Sequence, residues 1–442
     1  MADTKYTSWG RFPQIRQQGI PLHWRSDPLP ARLPDTESLL PYGNGRSYGD
    51  VCLNRGGTVL DTRALNRFIS FDAETGVLRC ESGVQLADVL RLAVPMDWFL
   101  PVSPGTRYAT VGGALANDVH GKNHHKAGTF GRHVQAFELL GSDGNRRVCT
   151  PTENAELFAA TIGGLGLTGL VTWVELQLRR IDGPMLREEC IKFANLDEFF
   201  HLSEDSDEAF EYTVAWVDCV SRGDALGRGL FARANHVPAR VTAHASAYRQ
   251  SSGLSLPFTP PVSLVNRWSL KAFNAIYYAR QRQSKQIRTL HYQPFFYPLD
   301  KIGNWNRIYG PGGMLQYQCV LPGVEGREVM REMLRTIAQA GDGSFLAVLK
   351  IFGDRPSPGM LSFPRPGVTL ALDFPNKADV FRLLDRLDDM TRSVNGAVYP
   401  AKDARMSPES FRNYFPRWEE FAAYVDPAFS SSFWRRVAGE VF

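Results

Sequence analysis

From Val111 to Val134, glycine and histidine replace the large aliphatic residues that would let a chain segment pack into an ordinary core. Four of the nine histidines of the protein and five of its glycines fall in this stretch, and few large aliphatic side chains follow Leu115. Burial would stabilise such a segment little, whereas glycines permit positive φ angles and a close approach of the backbone to another surface. A long surface loop is the alternative, but loops of this length seldom lack a function. The pattern favours a chain that wraps along a flat or phosphorylated ligand.

The composition indicates a globular protein of two or three domains and excludes several functional classes. Hydrophobic residues make up 43% of the 442 positions, which is ample for a core. The formal net charge of +4 is too small and too dispersed to predict a nucleic-acid partner. The sequence contains no apolar run of about 18 residues, and its first residues lack the apolar region of a signal peptide. The six scattered cysteines then indicate reduced thiols in a cytoplasmic protein.

Two further glycine-rich loops accompany the glycine–histidine segment. Gly43, Gly45 and Gly49 follow an apolar stub that begins at Leu39, and the stretch from Gly166 to Gly169 precedes a β-rich run. Turns of this kind present successive backbone N–H groups as anion-binding nests. The spacing GxGxxxG, with no amphipathic helix after it, is not the dinucleotide fingerprint. One large phosphorylated cofactor held by all three loops accounts for them together.

Two other chemistries fit the residues less well. The G-x-S-x-G sequence at Gly45–Gly49 has no amphipathic helix after it, so it does not predict a nucleophile elbow, and acyl transfer through an activated serine is disfavoured. His120, His124 and His125 have a spacing that would suit metal ligands on a helix, but Gly121 and the neighbouring glycines disfavour a helix there. We therefore predict no metal site.

The periodicity of the chain predicts an α+β fold rather than regular βαβ winding. Up to about residue 180 the pattern gives short strands, with hairpins at Glu74–Gly76 and Ser142–Asn145 and a short helix capped by Thr152. Residues 1–36 are polar and rich in proline and arginine, and we expect them to lie as an arm on the surface.

After about Gly183 the pattern changes to longer strands and two amphipathic helices. Candidate strands lie at 212–219, 313–321, 345–352 and 368–374, and candidate helices at 325–340 and 377–393. This order predicts an antiparallel sheet with helices on one face. Ser246–Phe295 mixes prolines, aromatic residues and basic residues, which indicates either an ordinary helix and loop or a flap that covers a site or touches lipid. A last helix is predicted to begin at Pro408, with Ser407 as its cap.

Three segments resemble the flavin-binding half of the vanillyl-alcohol-oxidase superfamily: PYGNGRSYGD, PVSPGTRYATVGGALANDVHGKNHHKAGTFGRHV and GGLGLTG. With MLQYQCVLP, SFLAVLKIFG, TLALDFP and YPAKDAR, in the same order, the chain is more narrowly similar to the flavoprotein subunits of decaprenylphosphoryl-β-D-ribose 2'-epimerases. The resemblance spans nearly the whole chain, and HGKNHHxAGxFG is its most specific block. It implies a PCMH-type FAD-binding domain in two parts, residues 1–184 and 397–442, with an antiparallel-sheet substrate domain, residues 185–396, inserted between them.

The resemblance also implies how FAD is bound. The segment Arg46–Tyr48 occupies the place where relatives with covalent flavin often carry a histidine, so noncovalent FAD is expected. Backbone N–H groups of the first two glycine loops would neutralise the pyrophosphate, and the third loop would approach the adenosine. The residues implied to contact FAD are Gly43, Asn44, Gly45, Arg46, Ser47, Tyr48, Gly49, Gly105, Thr110, Gly112, Gly113, Asn117, His120, His124, Gly128, Thr129, Gly166, Gly169, Tyr399 and Lys402.

The same resemblance implies which residues carry the chemistry. A hydride leaves a sugar carbon for flavin N5, and the hydroxyl proton needs an acceptor within hydrogen-bond reach. Lys402 is expected beside the C2=O/N1 edge of the flavin, where a cation stabilises the charge of the reduced ring. His120 and Gln318 complete the implied catalytic set, with a hydrogen-bonded supporting role for the imidazole as an equal alternative.

Substrate contacts are implied for six further residues. Two lysines would hold a phosphate, and two aromatic residues would wall the pocket. Ala371 stands where the family can carry a cysteine next to the reactive face of the flavin, so inhibitors that bond to that cysteine are expected to fail. The implied substrate-binding residues are Lys122, Gln316, Lys350, Trp216, Phe352 and Ala371.

The activity that the resemblance implies is oxidation of the ribose C2 hydroxyl of a polyprenylphosphoryl-β-D-ribose, the first half of epimerisation to the arabinose form. An NADH-dependent keto-reductase would be the partner that completes the reaction. The lipid-linked substrate would bring a cytoplasmic protein to the inner face of the plasma membrane. Two alternatives stay open: a soluble sugar-alcohol or aldonolactone oxidase that uses oxygen, and a flavin-binding scaffold without turnover.

Overall fold

The computed structural model describes residues 6–30, 38–238 and 254–439. Within these ranges the strands are β1 (Gln18–Pro21), β2 (Leu39–Tyr42), β3 (Thr58–Asp61), β4 (Phe68–Phe71), β5 (Val77–Glu81), β6 (Trp98–Phe99), β7 (Val134–Leu140), β8 (Arg146–Cys149), β9 (Leu170–Gln177), β10 (Arg179–Arg180), β11 (Met185–Phe193), β12 (Tyr212–Val217), β13 (Gly229–Val237), β14 (Lys285–His291), β15 (Met314–Leu321), β16 (Ala347–Phe352), β17 (Gly367–Pro375) and β18 (Ala397–Val398). The α-helices are α1 (Leu86–Ala93), α2 (Val111–Ala116), α3 (His124–Ala127), α4 (Ala155–Thr161), α5 (Leu196–Ser206), α6 (Arg267–Ala279), α7 (Tyr292–Phe296), α8 (Gly323–Ala340), α9 (Ala378–Ser393), α10 (Pro408–Tyr414), α11 (Trp418–Ala422) and α12 (Ser432–Ala438).

The N-terminal residues contribute a strand to the fold. β1 pairs in parallel with β3, and β3 pairs in parallel with β2. Tyr6 is buried, and its hydroxyl donates to Asp61 at the end of β3. The expectation of a surface arm over residues 1–36 is therefore wrong for Gln18–Pro21, because backbone pairing with β3 places these residues in a sheet. Residues 1–5 and 31–36 of that segment lie outside the described residues.

An antiparallel sheet in the order β4–β5–β9–β7–β8 completes the N-terminal part. The predicted hairpins at Glu74–Gly76 and Ser142–Asn145 are both confirmed, since they join β4 to β5 and β7 to β8. Gly76 and Gly144 adopt positive φ angles there, +75° and +76°, which glycine adopts without strain.

Two helix starts test the capping predictions. The cap of α10 is confirmed, because the Ser407 side chain accepts a backbone N–H from the first turn. The predicted cap of α4 at Thr152 is wrong, because Asn154 occupies that position. Thr152 instead lies in a turn that precedes the helix, where its N–H donates to the hydroxyl of Thr150.

From Met185 onward the chain builds an eight-stranded antiparallel sheet in the order β14–β11–β13–β12–β16–β17–β15–β18. The α+β class and the antiparallel sheet are therefore confirmed. Periodicity alone did not identify β11, β13, β14 or α5. β18 comes from the C-terminal part of the chain, so this sheet draws strands from both sides of the predicted boundary at residue 396, and that division stays a prediction.

In the central strands β15 and β17, alternate side chains face a hydrophobic core and a cavity. Side chains of a strand point to opposite faces at every second position. One set in β15 and β17 is apolar and packs in the same core as α8 and α9: Leu315, Tyr317, Cys319, Leu321, Val368, Leu370, Leu372 and Phe374. The intervening set faces a cavity: Gln316, Gln318, Thr369, Ala371 and Asp373.

Arg436, near the end of the chain, connects two loops that border this cavity. Its guanidinium donates to both carboxylate oxygens of Asp50, with Nε to Oδ2 at 3.0 Å and Nη2 to Oδ1 at 2.6 Å, and also to Asp403 at 3.0 Å. Both carboxylates are buried. Asp50 directly follows the first glycine loop, and Asp403 directly follows Lys402, so the arginine fixes the two loops against each other.

Replacing Arg436 with methionine should destabilise the protein by roughly 3–5 kcal/mol, because it leaves two buried carboxylates without their cation. Urea unfolding with FAD present measures this loss. The control is Arg417→Met, which removes an exposed ion pair with Glu420 and should cost less than about 1 kcal/mol. Equal losses in the two variants would contradict a special role for Arg436.

Candidate active site

A cavity of about 600 Å³ lies between the three glycine loops and the polar face of the eight-stranded sheet. This volume is typical of sites for small molecules and cofactors. The structure places most of the predicted site residues in its lining: Gly43, Asn44, Gly45, Arg46, Ser47, Tyr48, Gly105, Thr110, Gly112, Gly113, Asn117, His120, Lys122, Gly166, Gly169, Gln316, Gln318, Lys350, Ala371, Tyr399 and Lys402.

The first glycine loop offers free backbone donors to this cavity. The backbone N–H groups of residues 44–47 donate to no acceptor among the described residues. Gly45 has a φ of +57°, and a Cβ there would lie 2.2 Å from the hydroxyl oxygen of Tyr42, so only glycine fits. A loop with several unpaired N–H groups in succession suits a diphosphate.

Arg46, in the same loop, lies against two aromatic rings. Its guanidinium carbon is 4.3 Å from the ring centroid of Trp9 and 5.3 Å from that of Tyr108. Burial lowers the pKa of Arg46, and the charge of Asp300 opposes this shift. The buried Nε has no hydrogen-bond partner among the described residues, which leaves a charged donor available at the cavity wall.

The second glycine loop leaves space for a ligand, but the N–H groups of Gly112 and Gly113 are already hydrogen-bonded. Thr110 caps α2 by accepting the N–H of Gly113 at 3.1 Å, and the N–H of Gly112 donates to the Ser82 carbonyl at 2.8 Å. The expectation that these two N–H groups neutralise a pyrophosphate therefore does not hold here, because both already have acceptors. Ser82 and Asn117 line the same cavity, and their buried Oγ and Oδ1 atoms have no hydrogen-bond partner in the part of the chain that the structure describes, so they offer polar contacts instead.

The rest of the glycine–histidine segment contains one more helical turn. α3 begins at His124 and ends before Gly128, whose φ is +72°. The prediction that glycines prevent a helix is therefore wrong for this turn and holds for His120–Asn123. Because His120 lies outside α3, the histidines do not share one helical face, and no cluster of potential metal ligands is found among the described residues.

The third loop closes the cavity next to α2. Gly166 and Gly169 line it with φ angles of +77° and +136°. The N–H of Leu165 donates to the carbonyl of Ala116, which ties this loop to the end of α2.

Three lysines, Lys122, Lys350 and Lys402, are half-buried where the cavity meets the sheet. Burial lowers the pKa of Lys350 to about 7, and the charges of Lys122 and Lys402 lower it further. Burial also lowers the pKa of Lys122 to about 8 and that of Lys402 to about 8, and the charges of Asp300 and Asp373, respectively, oppose these shifts. A desolvated group of cations is a strong site for an anion, because an anion relieves their repulsion.

A buried carboxylate stands beside these lysines. Burial raises the pKa of Asp373 to about 6, and Lys402 and a hydrogen bond from Gln316 oppose the shift. The Gln316 amide donates to Asp373 Oδ1 at 2.6 Å, and the Nζ of Lys402 lies 4.1 Å from the ring centroid of Tyr48. Sequence reasoning missed Asp373, although an isolated acid in the apolar run of β17 was a usable signal.

His120 connects the sheet to the lysines. Its Nε2 is 2.8 Å from the amide nitrogen of Gln318, and its Nδ1 is 3.2 Å from Lys350 Nζ. Burial, with the charge of Lys350 next in effect, lowers the pKa of His120 well below its usual value, so the ring is neutral. A neutral imidazole donates at one nitrogen and accepts at the other. When Lys350 is charged and donates to Nδ1, Gln318 must therefore turn its oxygen toward Nε2–H.

Three predicted residues with large side chains do not line the cavity. The rings of His124 and Phe352 pack against each other at 4.4 Å, and the Phe352 ring also contacts His120 at 4.8 Å. Trp216 donates its indole N–H to the carbonyl of Phe345, and its ring lies 4.6 Å from Tyr277. These side chains pack behind the cavity wall rather than within it.

Gly49, Gly128 and Thr129 also lie outside the lining. A Cβ at Gly49 would lie 1.6 Å from the carbonyl oxygen of Asp403, so this glycine permits close contact with the C-terminal segment. Thr129 is fully buried and pairs through its backbone with His120. Their positions support the loops that line the cavity.

Sequence reasoning also missed one wall of the cavity. Asp300, Ile302 and Trp305 line it from the segment after α7, together with Trp9 from the N-terminal segment. The Asp300 carboxylate accepts the backbone N–H of Arg107 at 2.9 Å. Isolated tryptophans in polar segments were the only signal of this wall in the sequence.

Comparison with known proteins identifies the family. The chain is 37% identical over 411 residues to decaprenylphosphoryl-beta-D-ribose oxidase of Mycolicibacterium smegmatis, an alignment that covers 90% of this chain and 89% of the relative. The chain belongs to the decaprenylphosphoryl-beta-D-ribose oxidase family. Residues 35–150 match the model of the FAD binding domain, so this family member is an FAD-dependent oxidoreductase.

Two other relatives extend this comparison. An uncharacterized protein in the mprA 5'region of Streptomyces coelicolor is 34% identical over 80% of this chain and 100% of its own length. Human Delta(24)-sterol reductase is 32% identical over 110 residues, which is 25% of this chain and 21% of the relative.

The cavity of this oxidase-family chain fits FAD. The free N–H groups at residues 44–47 suit the pyrophosphate, and the unpaired Ser82 Oγ and Asn117 Oδ1 suit the polar atoms of the cofactor. Arg46 lines the cavity, and a guanidinium forms no covalent bond to a flavin. These residues would hold the cofactor through hydrogen bonds and charge.

Replacing Lys350 with methionine should raise the free energy of unfolding at pH 7 by roughly 2 kcal/mol. The folded-state pKa of about 7 lies below the value of about 10.4 for a lysine in water, so the unfolded chain binds the extra proton between these pH values. The stability of the wild type therefore rises with pH in this window, and the advantage of the variant shrinks toward pH 10.

Urea unfolding of FAD-loaded protein at pH 7 and pH 10 measures this difference. Exposed Lys271 serves as the control, because Lys271→Met should change stability by less than about 0.5 kcal/mol at either pH. A Lys350→Met variant that is destabilised equally at both pH values would show that the half-buried lysine is not a source of strain.

Proposed function

We propose that this protein oxidises the C2 hydroxyl of a polyprenylphosphoryl-β-D-ribose to the 2-keto sugar, the first half of epimerisation to the arabinose form. The observation that carries the proposal is the group of three half-buried lysines beside the polar face of β15 and β17. Such a site combines cations for a phosphate with amides for sugar hydroxyls. The relationship to decaprenylphosphoryl-beta-D-ribose oxidase over 90% of the chain supports this choice of substrate.

The roles of the side chains follow from their positions. Lys122 binds the phosphate, and Gln316 and Gln318 hydrogen-bond the ribose hydroxyls. Lys350, whose Nζ lies 3.2 Å from His120 Nδ1, contacts the reacting hydroxyl instead. Bound FAD would supply the two-electron oxidant that takes up the C2 hydride. Lys402 places a positive charge where negative charge develops on reduction.

The hydroxyl proton leaves through His120 and Lys350. A pKa of about 7 gives Lys350 a substantial neutral fraction at neutral pH, and the 3.2 Å contact between its Nζ and His120 Nδ1 connects the two bases. The hydride pair leaves C2, the proton leaves the oxygen, and the C2=O double bond forms. Phe352 keeps the His120 ring in place from behind the wall.

Ala371 lines the site and is compatible with hydride transfer. It lies opposite Gln318 in the register of β15 and β17 and lines the cavity. Hydride transfer needs no thiol, so the alanine is compatible with turnover and removes the target of inhibitors that bond to a cysteine at this position.

The proposed reaction implies a partner enzyme for the keto product and a membrane contact for the lipid-linked substrate. An NADH-dependent keto-reductase reduces the keto sugar from the other face and completes epimerisation. The lipid-linked substrate brings a cytoplasmic protein to the inner face of the plasma membrane. The proposed contact is peripheral. The part of the chain that the structure describes includes no helix that could span a bilayer.

Anaerobic titration of the FAD-loaded protein with candidate substrates tests the proposal. Polyprenylphosphoryl ribose should bleach the flavin absorbance, and free alditols or aldonolactones should not. Lys402→Ala should keep FAD bound yet lose most of this reduction, because the developing charge is no longer stabilised.

Other outcomes select the alternatives. Bleaching by alditols or lactones, with none by the lipid-linked ribose, would identify a soluble sugar oxidase. A flavin that no sugar reduces would indicate a scaffold without turnover. Normal reduction in Lys402→Ala would remove this lysine from the catalytic residues.

A further inference from the structure

Acidic and basic residues are unevenly distributed along the chain, although the net charge is small. Between Asp224 and Asp300 there is no acidic residue, whereas ten of the 50 lysines and arginines fall in this interval. The remainder of the chain contains 46 acidic and 40 basic side chains, so it carries the opposite sign. The expectation of dispersed charge is therefore wrong, because the totals of the two regions nearly cancel.

Helix α6 lies in this basic interval and exposes an apolar stripe. Leu270 and Asn274 are buried beneath it, while Trp268 and Ile276 are 77% and 71% exposed. The outward positions, spaced as one helical face, are Trp268, Ala272, Ala275, Ile276 and Ala279. A surface helix ordinarily turns its apolar stripe inward, so a second stripe that faces outward marks an interaction surface.

The segment before α6 extends this apolar surface. Leu254, Phe258 and Val262 are 85%, 66% and 67% exposed, and Leu264 is half exposed. Together with Trp268 and Ile276 they form what we name the α6 surface: Leu254, Phe258, Val262, Leu264, Trp268 and Ile276.

The basic residues around the α6 surface have no anionic partner, unlike others in the same interval. Arg228, Arg233, Lys285 and Arg288 form ion pairs with acids of β11 and the end of β12. Arg267, Lys271, Arg280 and Arg282 are exposed and form no ion pair in the described part of the chain. Unpaired cations beside exposed apolar side chains are the pattern of helices that lie in a membrane interface.

The α6 surface is connected to the cavity. Leu256 donates its N–H to the carbonyl of Gly303, and Gly303 donates its own N–H to the carbonyl of Leu254. Gly303, Ile302 and Trp305 line the cavity. An apolar chain that leaves the cavity at this wall would therefore come near Leu254 of the α6 surface.

We propose that the α6 surface docks on a lipid bilayer that contains anionic phospholipids. The exposed tryptophan and aliphatic side chains enter the region of the headgroups, and the four unpaired cations contact phosphates. The docking stands on exposure and charge, whereas its use to deliver a prenyl-linked sugar rests on the proposed function. A nucleic acid would use the cations but would leave the aliphatic stripe exposed to water, so a bilayer fits both features better.

Sedimentation of the FAD-loaded full chain with vesicles tests this docking. The protein should bind vesicles of phosphatidylcholine with phosphatidylglycerol far better than vesicles of phosphatidylcholine alone, and added salt should weaken the binding. The double variant Trp268→Ser, Ile276→Glu should bind at least about tenfold more weakly, because it removes the apolar insertion. Lys271→Ala should weaken binding by about fivefold.

The matched control is Val324→Glu, an exposed apolar residue of α8 outside the α6 surface, and it should bind like the wild type. Reduction of the flavin by a ribose phosphate with a short, water-soluble prenyl chain should be the same in the double variant and the wild type. Vesicle binding by a protein that no sugar reduces would keep the docking and reject the proposed function.

Several results would overturn the docking. These are a wild type that binds no vesicle, a double variant that binds like the wild type, and equal losses in the double variant and Val324→Glu. Competition of a single-stranded oligonucleotide for the α6 surface without vesicle binding would assign it to nucleic acid. A change of oligomeric state in the double variant without vesicle binding would assign it to a second copy of the chain.

Discussion

The contact of Arg436 with Asp50 and Asp403 joins parts of the chain separated by 386 and 33 residues. The N–H of Tyr48 donates to the carbonyl of Ala401 at 2.8 Å in the same region, so backbone and side chains join the first glycine loop to the segment that carries Lys402. Neither segment forms a cavity wall alone. The cofactor site therefore depends on tertiary closure, and the sheet inserted between the two segments must fold before the site is complete.

The same closure creates the chemistry, because it removes water from groups that prefer to be hydrated. Lys350, Lys122 and Lys402 repel one another in a buried space, and Asp373 holds a proton more tightly than an exposed carboxylate. Desolvation of these charged groups lowers the free energy of unfolding, and a bound anion offsets part of that loss. A site of this kind binds a phosphate strongly and offers a base near neutral pH, which are the two requirements of oxidising a phosphorylated sugar alcohol.

Local rules predicted those features that depend on neighbouring residues. The hairpin turns, the cap at Ser407 and the central strands of the sheet follow from turn chemistry and alternation. Two features that sequence reasoning missed depend on distant partners: β1 needs β3, and the contacts of Asp373 follow from its position opposite Gln316. The glycine loops and most lining residues were predictable, but the position of Phe352 behind the wall required the packing of two histidine rings. The charge around α6 was missed because the total was considered rather than its distribution.

Acid precipitation of the purified protein tests the central claim most directly, namely that this cavity holds FAD by hydrogen bonds and charge alone. The free N–H groups at residues 44–47 and the guanidinium of Arg46 predict that the supernatant contains about one FAD for each chain and that the pellet is colourless. Flavin that stays in the pellet would show a covalent bond and contradict the account. A colourless protein that takes up no added FAD would contradict it altogether.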